Sequence, residues 1–126
     1  IYGNIHTLLI INCPNVSDVT SLGLGPGSGK GSGVWGPGTL HTLKLSTCTN
    51  LIDVCTLSSL HTLSLLSCPK VVNVSNLGNI HTLFLYNCRG IVDVTALCTV
   101  HTLSLISCNR DLDVSCLYNI HSLTVR

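Results

Sequence analysis

Two side-chain types able to carry chemistry recur along this 126-residue chain at a fixed interval. His41, His61, His81, His101 and His121 are spaced by 20, with His6 ahead of them, and each is followed by Thr or Ser. Cys48, Cys68, Cys88 and Cys108 keep the same interval, with Cys13 ahead of them. Imidazole can act as general base, metal ligand or pH-dependent charge, and a thiolate is a nucleophile or zinc ligand. A third row is acidic: Asp18, Asp53, Asp93 and Asp113, with Asn73 in the corresponding place.

The spacing argues against most of that chemistry. Catalysis needs one constellation, a nucleophile or acid held within reach of its base in a pocket. An identical His-Thr pair in every repeat points instead to a structural edge ladder. Zinc is not expected, because no CxxC pair exists to hold a tetrahedral site. Calcium takes about six to eight oxygens, and one carboxylate per repeat is too few. Asp and Asn accept hydrogen bonds from backbone N–H groups a few residues on, so this row reads as a set of turn caps. No catalytic residue, metal or cofactor is assigned, and the chain is read as non-enzymatic.

Composition narrows the field further. Net charge is +1, with six Lys or Arg against five Asp and no Glu. That balance lacks the basic footprint of a nucleic-acid binder and gives little electrostatic steering. No run of about 18 apolar residues is present to span a membrane, and no leader segment is visible. The core must be aliphatic, since the chain has one Phe, one Trp and three Tyr.

The elements that position these rows are short and repeated. Segments of 20 residues begin at Leu40, Leu60, Ile80 and Val100, an earlier copy begins at Ile5, and a truncated one, IHSLTVR, closes the sequence. Counted from the first aliphatic residue, apolar or Cys side chains recur at positions 1, 4, 6, 9, 12, 15 and 18. Neither a continuous helix nor a continuous strand has that spacing. It predicts a coil that turns several times per repeat and keeps one edge inward.

The pattern LxxLxLxxC, followed by an aliphatic residue, x, Asp-Val and x-x-Leu, resembles a leucine-rich repeat. The tail Ile91-Val-Asp-Val-Thr-Ala-Leu97 is similar to that of the bacterial internalin and related classes. The resemblance covers the chain except residues 23–39. It implies a β-solenoid with one short parallel strand per 20-residue coil and turns or short 3-10 segments on the convex side. It also implies protein binding through the strand face. Position 9 departs from the pattern, with Cys where that class has an Asn ladder bonding the turn. A thiol does this poorly, so the turn is expected to rely on buried packing. Asp111 departs at position 12, and Leu112 beside it is the expected replacement in the core.

Stacked coils would place equivalent residues about 4.8 Å apart. The outward strand positions are 3, 5 and 7. Position 3 is a Thr row, which suits a strand and also resembles the flat face of an ice-binding solenoid, a minor alternative. Position 5 is too irregular for a lattice match. Leu9, Ile11, Leu66, Phe84, Tyr86 and Ile106 are expected to form a contiguous outward apolar patch, and exposed patches of this kind mark interaction sites.

One domain, residues 1–126, is expected, with a Gly-rich insertion at 23–39. That insertion is not a phosphate loop, since Leu24 stands where the first Gly belongs and Gly31 follows Lys30. Trp35 within it is the candidate assembly anchor. Neither end carries a capping repeat, so end-to-end self-association into a filament is the alternative to a scaffold for a protein partner. Localisation is open: buried thiols suit a reducing compartment, and Asn15 and Asn73 lie in glycosylation sequons should the chain be secreted. Cys55, Cys98 and Cys116 lie outside the Cys row, and a Cys98–Cys116 bond between adjacent coils is one option for them.

Overall fold

The computed structural model describes residues 7–17, 41–54, 57 and 60–126. Six strands, β1 (Thr7–Ile11), β2 (Thr42–Ser46), β3 (Thr62–Leu66), β4 (Thr82–Tyr86), β5 (Thr102–Ile106) and β6 (Ser122–Val125), form one sheet in chain order. Every pair is parallel and in register, and from β2 to β5 Thr lies opposite Thr and inward Leu opposite Leu. Strands β2 to β6 begin 20 residues apart, and each coil of chain adds one strand. The architecture is solenoid-like.

The strands form because Thr-Leu-x-Leu-x alternates, and a pleated strand sends alternate side chains to opposite faces. Its two leucines point inward: Leu43, Leu45, Leu63, Leu65, Leu83 and Leu85 are almost wholly buried. Each of β1 to β5 is followed by a residue in the left-handed region, Asn12, Thr47, Ser67, Asn87 and Ser107, with φ of 55 to 56°. Asn enters this region readily, whereas β-branched Thr47 is strained there. The ladder offsets that strain. Each of these N–H groups still donates to the next coil's strand end, as from Thr47 to the Leu66 carbonyl and from Asn87 to that of Ile106, both at 2.8 Å.

Beyond the turn the chain returns through columns of one apolar residue per coil. Leu51, Val71 and Ile91 form one column, Val54, Val74 and Val94 the next, and Leu57, Leu77, Leu97 and Leu117 a third. Two backbone bonds repeat in each returning segment, as from Leu97 N–H to the Val94 carbonyl at 2.9 Å and from Val100 N–H to that of Leu97 at 3.1 Å. They produce 3-10 turns at Thr95–Thr99 and Ser115–Asn119.

The acidic row holds the entry to these turns. Asp93 Oδ1 accepts from Thr95 N–H at 2.9 Å and from its hydroxyl at 2.8 Å, and Asp113 Oδ1 accepts from Ser115 N–H at 3.0 Å. Asn73 accepts likewise from Ser75 N–H at 2.9 Å, so the position needs an acceptor and no charge. The last full coil differs as its sequence suggests. Asp111 is exposed, while Leu112 is half-buried and packs against the core. Around it Cys108, Val114 and Cys116 are also only half-buried, as are Leu8, Ile10, Cys13 and Val16 in the first coil.

Candidate functional site

The outward face of the sheet presents Phe84 and Tyr86 at 41% and 48% exposure, on one strand and two residues apart. In register, Tyr86 lies opposite Leu66 on β3 and Ile106 on β5, both half-exposed. These four residues form one apolar surface across β3, β4 and β5. Leu9 and Ile11 are also exposed, but they lie on β1. Between them and the four stands β2, whose outward residues are Lys44 and Ser46. The six expected residues therefore do not form one contiguous patch, because β2 carries polar side chains in both outward columns. Ser64, an outward position by alternation, is 7% exposed and lies between Lys44 and Phe84 in register. Trp35 lies outside the described residues.

The histidines form a second feature along the edge where the chain enters the strands. Successive rings from His41 to His121 stack at centroid distances of 4.3 to 4.5 Å, with interplanar angles of 15 to 26°. In four coils Nδ1 is paired with the hydroxyl of the following residue, His41 with Thr42, His61 with Thr62, His81 with Thr82 and His101 with Thr102, at 2.9 to 3.0 Å. Thr42, Thr62, Thr82 and Thr102 are half-buried with their hydroxyls engaged, whereas Thr7 and Ser122 at the ends of the row are exposed. The strand register permits the stacking, because it sets equivalent residues one strand spacing apart. Partial desolvation, reinforced by the charges of His81 and His121, holds the His101 pKa below the usual histidine value.

The cysteine column both packs and bonds. Cys48, Cys68 and Cys88 are fully buried. Cys88 Sγ lies 3.3 Å from the Leu65 carbonyl of the preceding coil and 3.5 Å from that of Tyr86. Cys68 and Cys108 reach the Leu45 and Leu85 carbonyls in the same way, at 3.8 and 3.4 Å. Thiols thus hold part of the turn, alongside the buried packing expected there. Burial raises the pKa of all three buried thiols, that of Cys88 to about 12, so they stay protonated and poorly nucleophilic. Cys98 is exposed and Cys116 half-buried, and both are free thiols, not the bonded pair that adjacent coils allowed.

A further exposed row was not singled out in the sequence. Ile52, Val72 and Val92 stand at position 13 of successive coils, 49 to 62% exposed. The signal was a second aliphatic residue directly after the buried one at position 12. Val72 and Val92 line a shallow depression with Asn73, Ser75, Asp93 and Thr95.

Comparison with protein-family models, with curated proteins and with solved structures returns no match, so geometry and chemistry alone carry the functional argument.

Proposed function

We propose that the chain is a leucine-rich-repeat scaffold, without catalytic activity of its own, that binds a protein partner through the outward face of β3, β4 and β5. The observation that carries this reading is the exposure of Phe84 and Tyr86 beside Leu66 and Ile106. Aromatic side chains with aliphatic neighbours are favoured interface anchors, and a hydrogen-bonded sheet holds them with little ordering cost on binding. The other rows suit structural roles: thiols buried and protonated, carboxylates bonded to turn N–H groups, imidazoles tied to threonines.

The test is the double substitution Phe84→Ser and Tyr86→Ser against a Val92→Ser control on the other exposed row. A partner that binds the native chain should be lost by the double variant and kept by the control. Stability should change by no more than about 0.5 kcal/mol per exposed substitution. Retained binding, or a large drop in the unfolding midpoint, would count against the interface.

A further inference from the structure

The guanidinium groups play no part in that protein-binding reading, and they are unevenly placed. The chain has six Lys or Arg and a net charge of +1, yet Arg89, Arg110 and Arg126 line one concave pocket of about 580 Å³ together with Ser107 and Asn109. We infer that this pocket is a binding site for a phosphate group, in which the three guanidinium forks hold a doubly charged tetrahedral oxyanion.

The fold gathers the three arginines from separate stretches of sequence. Arg89 follows β4, Arg110 follows β5 and Arg126 follows β6, and the parallel register sets these strand exits side by side. Backbone hydrogen bonds fix the frame: Ser107 N–H donates to the Arg126 carbonyl at 3.0 Å, and Arg126 N–H to that of Leu105 at 2.9 Å. Asn109 Oδ1 accepts from Asp111 N–H at 3.0 Å. That bond occupies the amide oxygen and leaves the Nδ2 donors of Asn109 for a ligand. Earlier coils place Pro14, Thr49 and Pro69 where Arg89 stands, so their turns do not repeat this set.

Charge supports the same assignment. No Asp lines the pocket, and among the described residues none of the three arginines is paired with a carboxylate. Asp111, the sequence neighbour of Arg110, is exposed and stands outside the lining. Lys70, by contrast, donates to Asn50 Oδ1 at 2.8 Å. Three cations around one cavity repel one another, and a bound anion turns that repulsion into attraction.

The donor set selects the anion. Guanidinium offers paired N–H groups to carboxylate and phosphate alike. A carboxylate has one charge and about four lone-pair sites, which two forks fill. A phosphate monoester carries a charge of about −1.5 to −2 near neutral pH and three strong acceptor oxygens. Each arginine then has an oxygen, with Ser107 and Asn109 as further donors. Arginine clusters are a recurring means of recognising phosphorylated groups. Arg126 also continues the outward column of Tyr86 and Ile106, which sets the pocket beside the exposed face of the sheet. Free phosphate and phosphate esterified to a larger molecule present the same oxyanion there.

The experiment uses the full chain in phosphate-free buffer at about pH 7.5, where a monoester is doubly charged. Inorganic phosphate, phenyl phosphate and benzoate are the probes, at constant ionic strength. Carbon-detected ¹³C–¹⁵N spectra of the guanidinium groups should show Arg89, Arg110 and Arg126 shifting along one saturable curve with either phosphate. Benzoate, which has the same ring as phenyl phosphate, should bind at least about tenfold more weakly. R110Q should weaken binding of inorganic phosphate at least about tenfold, and R89Q/R110Q/R126Q should abolish it. K70Q, outside the pocket, should leave it unchanged, and so should F84S/Y86S, which separates this site from the protein-binding face. Phenyl phosphate bound more tightly than inorganic phosphate assigns the pocket to esters, and equal binding assigns it to the free ion. Shifts that never saturate, or benzoate bound as tightly as phenyl phosphate, would overturn the inference. So would equal weakening by K70Q and R110Q, the mark of diffuse positive charge. Should the variants fail to fold, the arginine spectra of the native chain decide the question alone.

Discussion

Cys88→Ala tests how a buried thiol column holds a parallel coil. The Cys88 side chain is fully buried, and its sulfur lies within 3.5 Å of two carbonyl oxygens. Removing a buried sulfur forfeits transfer free energy of about 1 kcal/mol, taken from the value of one buried methylene. The void left, roughly 20 Å³ at about 24 cal/mol per Å³, adds about 0.5 kcal/mol. Losing the weak S–H···O contact that the two carbonyls share adds roughly as much again. The expected cost is therefore about 2 kcal/mol. Cys13 occupies the same column in the first coil but is half-buried, with one carbonyl contact at 3.4 Å. Solvent can fill the space there, and Cys13→Ala should cost about 0.5 kcal/mol. Urea unfolding followed by circular dichroism reads the difference. With a slope near 2 kcal/mol per M, Cys88→Ala moves the midpoint down by about 1 M at unchanged slope, and Cys13→Ala by about a quarter of that. Equal shifts for the two variants would refute the reasoning, because burial and carbonyl contact are what separate them.

Stability should fall on both sides of neutrality. The folded pKa of His101 lies below its unfolded value of 6.5, so the unfolded chain takes up protons first and stability drops as pH falls through and below 6.5. Asp93 and Asp113 are held low, chiefly by hydrogen bonds from Thr95 and Ser115, and their contribution is lost as pH falls below 3.8. On the alkaline side Cys88 binds its proton up to about 12, against 9.0 in the unfolded chain, so stability should decline above pH 9. An unfolding midpoint flat from pH 7 to 4.5 and from 8.5 to 10.5 would contradict these shifts. Gly90→Ala should destabilise by about 1 to 3 kcal/mol, because its new Cβ would overlap the Pro69 carbonyl oxygen of the preceding coil and crowd that of Val71. A thermal midpoint equal to the parent's would show that the backbone yields. In native buffer a thiol reagent should label Cys98 first and leave Cys48, Cys68 and Cys88 protected until unfolding. Mass mapping of early labelled peptides checks the order.

The strand positions and core columns were legible because each coil repeats the same burial problem, and a residue that recurs inward at one position can be read from its spacing alone. The exchange of Asp111 for Leu112 was legible for the same reason. What escaped was the relation between columns. Alternation marks Ser64 as outward, yet it is covered, which the pattern of one strand does not reveal. Leu9 and Ile11 belong to the same outward columns as Phe84 and Tyr86, but column membership is not contact, and β2 intervenes with Lys44 and Ser46. The histidine row was read as an edge ladder, whereas ring stacking and the Nδ1 pairing with threonine depend on side-chain rotation. The exposed row of Ile52, Val72 and Val92 was missed because an aliphatic residue beside a buried aliphatic reads as more core.

β1 meets β2 in the same register that joins every later pair, Thr7 opposite Thr42, although 42 − 7 gives 35 residues between them where the other coils use 20. Matching of side-chain columns, and not the length of the connection, thus decides where a coil docks. That makes the junction between the first two coils a splice point. A longer or shorter passenger there would change the closure cost by only about 0.6 kcal/mol per doubling of its length. Both β4, with its two exposed rings, and the His41–His121 row lie downstream of it, so binding segments or whole folded units could be exchanged at this junction without disturbing either.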